Sequence, residues 1–234
     1  MTGGPQLARD FQQRFTRSTR PVVAARNPQW TGKTPSVSVM FETYRTALAR
    51  RAWRQRCTGA SIAKGAIVLG DFSAITIRPG AVIEAGAVLS TQYGGSIDIG
   101  ERTRICRGGM VLSYGGFVRI GRESSVNPYS ILYGHGGLTI GDYVRIAAHS
   151  VIVPANHTYT DTSRPIHAQP LTKKGIVLGN DIWIGAGVYV VDGVCIGDGC
   201  VVGAGSVVTR NLEPFTVNVG NPCSMVKRRS ETPT

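Results

Sequence analysis

The chain has 234 residues, enough for one sizeable domain plus a terminal extension, and 42% of them are hydrophobic, so a packed core is within reach despite 30 glycines. No stretch approaches the roughly 18 consecutive apolar residues of a membrane span. Five cysteines, an odd number with no C-x-x-C pair, argue against a disulfide framework or a zinc ribbon, and fit a reducing cytoplasm.

The net charge of +12 is unevenly placed: residues 1–61 hold eleven Lys/Arg against two acids, residues 62–234 fifteen against twelve. The basic 1–61 segment therefore offers a contact for an anionic membrane surface or an anionic polymer, weighed against a plain solvated basic face. Its first forty residues are Pro-rich and polar and read as extended or partly disordered. The short apolar stretch 21–25 is too short for a secretory leader. Residues 41–57 contain no Gly or Pro, and Phe41, Tyr44, Leu48, Ala52 and Trp53 can share one face. This predicts an amphipathic helix that caps the next element. Ile62 and Leu69 read as an irregular opening turn of that element.

From Ile77 onward the sequence has a period of six. Aliphatic residues recur in six triplets: Ile77, Ile83, Leu89; Ile99, Ile105, Val111; Ile120, Val126, Leu132; Ile140, Ile146, Ile152; Leu178, Ile184, Val190; and Ile196, Val202, Val208. A helix repeats at 3.6 and a strand at 2, so neither sustains this spacing. A coil with three short faces does, each face sending one aliphatic side chain inward per turn. The reading is an all-β parallel β-helix of about six to seven triangular coils over 62–212, with a helical and extended N-terminal cap.

The fifth residue of each unit should be small or β-branched and turn inward. Ala81, Ala87, Thr103, Ser124, Ser130, Ser150, Val188, Val194, Cys200 and Ser206 obey, whereas Tyr93, Asn156, Ile182 and Leu212 do not. Glycine follows the leading aliphatic at Gly100, Gly121, Gly141, Gly179 and Gly197, as a sharp bend or a positive φ would require. Between triplets the chain carries 4, 3, 2, 20 and 0 extra residues, always at the same corner. Insertions sharing one edge are how a solenoid builds a binding face. The longest, 154–175, is the principal candidate. Residues 213–234 form a C-terminal extension, with turns at Pro214 and Gly220-Asn221-Pro222 and a cluster of Lys227, Arg228 and Arg229.

Two segments, GHGGLTIGDYVRIAAHSVIVPANHTY (134–159) and IVLGNDIWIGAGVYVVDGVCIGDGCVVGAGSVVTRNLEPFTVNVGNPC (176–223), carry a resemblance to a known group. With an Asn-His before a long loop, an I-W-I-G, a G-A-G-S-V-V-T and a terminal G-N-P, residues 62–229 resemble the left-handed β-helix hexapeptide-repeat acyltransferases. Within these they are most similar to the galactoside, maltose and bacterial polysaccharide O-acetyltransferases. The resemblance implies the left hand, which periodicity does not give. It also implies acetyl-CoA as co-substrate and a homotrimer with sites between subunits. The acceptor would be a small molecule or saccharide, with no nucleic acid partner.

Taken alone, His157 reads as a loop histidine. The resemblance implies that it is the general base that deprotonates the acceptor hydroxyl, a task for which imidazole has a suitable pKa. An oxyanion donor is expected at the backbone N–H of Gly185 or Ala186. Trp183, outward on its unit, matches a family tryptophan that contacts coenzyme or acceptor. Arg210 and Lys227 are candidates for the coenzyme phosphates, and Ala186, Ala204 and Gly205 suit a narrow pantetheine cleft. On the acceptor side stand Tyr129, Tyr133, His135 and Asn156, with Asn127, His149 and Tyr93 as weaker candidates. His135 occupies a corner where several sugar acetyltransferases carry an acid, which favours the polysaccharide-type relatives. Asp161 is a candidate for orienting His157, and His167 receives no role. Cys195 and Cys200 lie in regular repeat units without an activating base, so a covalent route is disfavoured. A metal-dependent γ-type carbonic anhydrase would need three converging histidines, and the 14 and 8 spacings of His135, His149 and His157 do not match that family. N-acetylation of an amino sugar or acetylation of a xenobiotic is the nearer alternative.

Overall fold

A computed structural model of the chain describes residues 48–229. The basic segment before residue 48, with Phe41 and Tyr44 of the predicted helix, lies outside the described residues. So does the end of the C-terminal extension, from 230 to 234. Residues 48–56 are helical. The residue that anchors this helix is Trp53, only 1% exposed, whose ring packs 5.6 Å from that of Phe72 and whose indole N–H donates to the Ile75 carbonyl at 2.8 Å. Leu48 and Ala52 face solvent, so among the described helical residues the apolar contact rests on one aromatic plug, with Cys57 beside it. A tryptophan can close the core in this way because its single polar atom finds a backbone acceptor there.

Beyond the cap the chain winds through about seven turns of a β-solenoid. Short strands stack into three parallel sheets, and these form the faces of the prism. Face A runs from Ser61–Ile62 through Val82–Ile83, Arg104–Ile105, Ser125–Val126, Arg145–Ile146 and Trp183–Ile184 to Val201–Val202. Face B runs from Ile67–Leu69 to Val207–Val208, and face C from Ile75–Ile77 to Cys195–Ile196. Each strand pairs in register with those one coil away: Ile83 lies opposite Ile105, Ile105 opposite Val126, Val126 opposite Ile146 and Ile146 opposite Ile184. All eighteen aliphatics of the period are buried. They make a single column of like side chains on each face, which is why a spacing of six is sustained.

The opening turn differs from expectation by one residue. Val68, opposite Leu89, points inward, while Leu69 is 42% exposed. The ten small or β-branched corner residues are all buried, and Ile182 and Leu212 turn inward as well. Buried corner hydroxyls bond to backbone carbonyls, of an adjoining turn for Thr103 to Gly121 (2.6 Å) and Ser150 to Gly185 (2.9 Å) and of its own turn for Ser206 to Gly203 (2.7 Å), so their burial leaves no unmet polar atom among the described residues. Tyr93 and Asn156 are exposed because the insertions precede the inward position, which in those coils is Ile97 and Ile176.

The recurrent glycines after face C answer to close approach rather than to positive φ. A methyl group on Gly141 would lie 2.6 Å from the Gly179 carbonyl oxygen, and one on Gly197 would lie 2.6 Å from the Pro214 nitrogen. Here one coil's backbone rests directly on the next.

The 154–175 insertion leaves the corner between faces B and C as a small antiparallel ribbon, Asn156–His157 against Leu171–Thr172. Several side chains hold it, Thr158 Oγ1 among them, which donates to Pro170 O at 2.7 Å. Gln169, buried, bonds to Asp161 N (3.2 Å), Asp161 O (2.9 Å) and Arg164 O (3.1 Å). The Asp192 carboxylate accepts from Thr172 Oγ1 (2.7 Å), Lys174 N (2.9 Å) and Gly175 N (3.1 Å), clamping the ribbon's exit to the following coil. In the C-terminal extension, Thr216–Val219 adds one more parallel strand to face A, and Ser224–Arg228 folds back on it antiparallel. No helix among the described residues is long and apolar enough to cross a membrane.

Candidate active site

The three faces differ in what points outward. On face B the outward column reads Ile67, Val88, Met110, Ile131, Val151, Tyr189, Val207, apolar in every coil. On face C it reads Thr76, Asp98, Arg119, Thr139, Val177, Cys195. Face A is mixed, with Arg145, Trp183 and Val201 adjacent in its upper coils. Most candidate residues stand on the two corners that bound face B, while Trp183 lies on face A and Lys227 on the outer C-terminal strand.

His157 stands at the B–C corner, exposed on the first strand of the ribbon and paired there with Leu171. Its ring makes no hydrogen bond among the described residues. Asp161 does not orient it: that carboxylate accepts from Ser163 N (3.0 Å) and Ser163 Oγ (2.6 Å) and faces Arg164. Asn156, beside it, is also exposed.

The A–B corner carries the small residues. Gly185 N donates to Val202 O at 2.8 Å and so belongs to the solenoid's own pairing. The N–H of Ala186 is unpaired among the described residues, and Ala186 is exposed, which leaves it as the free donor of the two. One coil on, Ala204 and Gly205 are exposed in the same column, and a methyl on Gly187 or Gly205 would meet only open space. Small, exposed residues thus line this corner. Beside it on face A, Trp183 is 58% exposed and lines a shallow pocket with Tyr143, Arg145, Asp181 and Arg229.

Of the cations at the C-terminal end, Arg228 is paired with Glu213 (2.8 Å) and Arg229 with Asp181 (2.8 Å). Arg210 and Lys227 form no ion pair among the described residues. Arg210 borders a pocket with Asn211, Asn218 and Ser224, whereas Lys227 lies on the outer strand, opposite Val217.

Two sets of rings flank the lower part of face B. At the A–B corner Tyr129 stacks on His149, centroids 5.4 Å apart and 11° from parallel. At the B–C corner His135 packs against Tyr114 (4.7 Å) and Tyr133 (5.7 Å). Burial, and behind it the Lys173 ammonium, push the His135 imidazole below its ordinary value. His135, His149 and His157 thus have separate surroundings, and among the described residues no three His, Cys, Asp or Glu side chains converge as a metal site would require. Asn127 is turned to structural use, its amide donating to Ile146 O at 2.9 Å. The sequence reading missed Tyr114, Gln169 and Asp192. The first had a signal, Tyr-Gly-Gly at 93 and 114 followed by His-Gly-Gly at 135, a spacing of 21 that matches one coil plus its insertion.

Residues 175–210 match the family model described as bacterial transferase hexapeptide (six repeats). A probable acetyltransferase of Mycobacterium tuberculosis is 30% identical over 168 residues, covering 72% of this chain and 52% of the relative; the chain thus spans about half the length of that curated relative. Among solved structures, the N-acyltransferase AntD from Bacillus cereus, crystallised as a serine-to-threonine mutant with dTDP and coenzyme A, is similar with a TM-score of 0.55. Its identity is 21%, over 78% of this chain and 89% of that one. A serine-to-alanine mutant of AntD with dTDP-4-amino-4,6-dideoxyglucose and coenzyme A gives 0.53, again at 21% identity, over 78% and 90%. These structures share the fold. With its period of six carried through the stacked coils and the repeat model lying on the last of them, the chain carries the hexapeptide repeat of bacterial transferases.

Proposed function

We propose that the protein is an acetyl-CoA-dependent O-acetyltransferase acting on a saccharide hydroxyl, with His157 as general base and a site assembled between the subunits of a homotrimer. The observation that carries this reading is the position of His157 and Ala186 on opposite edges of face B, the face whose outward column is apolar throughout. An apolar column of that length in contact with water marks an association surface. Threefold packing about an axis parallel to the solenoid, with face B turned inward, sets the B–C corner of one subunit beside the A–B corner of the next. His157 then meets the Ala186–Ala204 corner of a neighbour, where a pantetheine arm lies against backbone with few side chains in the way. Trp183 flanks that corner, and Arg210 and Lys227 supply positive charge for the coenzyme phosphates.

The chemistry follows from those groups. His157 takes the proton of the acceptor hydroxyl as its oxygen attacks the thioester carbonyl carbon. The Ala186 N–H donates to the oxyanion that develops. Collapse breaks the carbon–sulfur bond, and the imidazolium returns its proton to the departing thiolate, giving an acetyl ester and free coenzyme A. No acyl-enzyme is required. The M. tuberculosis relative is named as a probable acetyltransferase, which supports the reaction class. The AntD complex with an amino sugar supports N-acetylation as the alternative.

Release of free thiol from acetyl-CoA, measured against panels of hydroxyl and amino-sugar acceptors, tests both. His157→Ala should lower kcat by ~10²–10⁴-fold while leaving acetyl-CoA binding intact. Unchanged turnover in that variant defeats the base assignment.

A further inference from the structure

The B–C corner below the insertion carries a column of rings. Tyr93 stacks on Tyr114, centroids 5.1 Å apart and 20° from parallel, and Tyr114 packs on His135 at 4.7 Å. Tyr133, outward on face B, joins both Tyr114 (5.5 Å) and His135 (5.7 Å). The glycines that come after each ring make this possible. A methyl on Gly95 would collide with the Gly116 carbonyl oxygen, and one on Gly116 with that of Gly134, so the successive insertions nest and bring their rings into line. At the top, Gly136 N donates to Pro154 O at 3.1 Å, so the column ends against the base of the insertion, three residues before His157.

The core does not need these rings. Leu89, Val111 and Leu132 beneath them are fully buried, yet Tyr93 remains 66% exposed. Tyr114 is the one ring packed against it among the described residues, so the exposed part of Tyr93 lies away from that stack. The column therefore presents an exposed aromatic ring at its lower end, a row of phenol edges and, at its upper end, the positive Lys173. Flat apolar faces with hydroxyl-bearing edges suit pyranose rings, which have C–H faces and equatorial hydroxyls; a cationic ligand is disfavoured by the lysine.

We infer that this column is an extended acceptor subsite, which takes a neutral or acidic oligosaccharide chain along the solenoid axis and rests a distal sugar on Tyr93. At ~4.8 Å per coil, Tyr93 lies about 14 Å below the insertion, a distance that requires a chain of sugar rings rather than one. The inference deepens the acyl-transfer reading by naming the acceptor as oligomeric, but sugar binding at the column is measurable without acyl transfer.

The test uses the full-length protein on a glycan array carrying mono-, di-, tri-, tetra- and hexasaccharides of bacterial surface polysaccharides. Tyr93→Ala and Tyr93→Phe are compared with the parent, and thermal stabilisation by acetyl-CoA is read in parallel. The expected result is retention that rises with chain length. Tyr93→Ala should lose roughly three- to tenfold in affinity for the longest glycans and none for the shortest, with Tyr93→Phe close to the parent. Acetyl-CoA stabilisation should be the same in all three proteins. No retained glycan, retention independent of length, or an equal loss on all lengths together with a lowered Tm would overturn the inference. Absence of acetyl-CoA stabilisation in the parent would instead strike the acyl-transfer reading and leave the glycan result to stand.

Discussion

Faces B and C have inward residues of one kind and, in their lower coils, outward residues of opposite kind. Leu89, Val111, Leu132 and Ile152 fill the core from face B as Ile99, Ile120, Ile140 and Leu178 fill it from face C. Outward, Val88, Met110 and Ile131 stand where face C has Asp98, Arg119 and Thr139, while in the coil of Val151 and Val177 the two faces agree. Stability of the single chain does not require this difference, since both columns lie outside the core. It is a difference of environment: face C carries the charge of a surface meant for water, with Asp98 held by Arg78, while face B carries the composition of a surface meant to be covered. His157 and Ala186 lie on the two corners of face B, whereas Trp183 lies on face A and Lys227 on the outer C-terminal strand, so the proposed site draws on face B and on the sheet beside it.

Placing a charge on each face should break or sharpen this contrast. Ile131→Arg, outward in the middle of face B, is expected to give a monomer by sedimentation, and acetyl transfer as low as in His157→Ala, because the composite site is lost. Thr139→Arg, the matching change on face C, should leave both mass and turnover as they were. A trimeric, active Ile131→Arg protein would show that face B is not the shared surface.

The next effect in size concerns the seam between faces C and A rather than either face. Gly141→Ala places a methyl 2.6 Å from both the Gly179 carbonyl oxygen and Asn180 Oδ1, with backbone on one side that cannot swing away. A cost of about 1–3 kcal/mol is expected, seen as a Tm lowered by roughly 2–4 °C for each kcal/mol. An unaltered Tm would mean the coils can part at this corner without penalty, and the close-approach account of the recurrent glycines would fail.

Much of this was legible in the sequence because a solenoid makes local spacing do the work of tertiary structure. The eighteen aliphatics, the ten small corner residues and the common corner of the insertions can be read by counting in sixes. What was not legible depends on contacts between coils. Trp53 is the plug only because the Ile75 carbonyl and the Phe72 ring come over it, and nothing in 41–57 separates it from Leu48. Asp192 looks like an ordinary turn residue until the exit of the ribbon, some twenty residues earlier, is laid beside it. The glycines were legible as glycines, but their reason was not: a positive φ and a close backbone leave the same letter. The long insertion offered both His157 and His167, and only the family resemblance chose between them; that Asp161 is turned away from His157 comes from the tight Asp161–Ser163 turn.

The smallest expected effect lies on face C itself. Arg78 grips Asp98 through two hydrogen bonds, Nε to Oδ1 at 3.2 Å and Nη2 to Oδ2 at 2.9 Å, a geometry that looks strong. Both side chains are well hydrated, with 52% and 35% of their surfaces exposed, so water and salt screen the attraction and ordering two long side chains offsets much of the rest. Asp98→Asn should therefore cost less than about 1 kcal/mol, and the loss should shrink further in high salt. A larger, salt-resistant loss would mean that the charges of Arg78, Asp98, Glu101 and Arg122, which line one shallow pocket, act as a single network. Face C would then be a structural surface in its own right, and its contrast with face B would be one of two kinds of association rather than of covered against solvated.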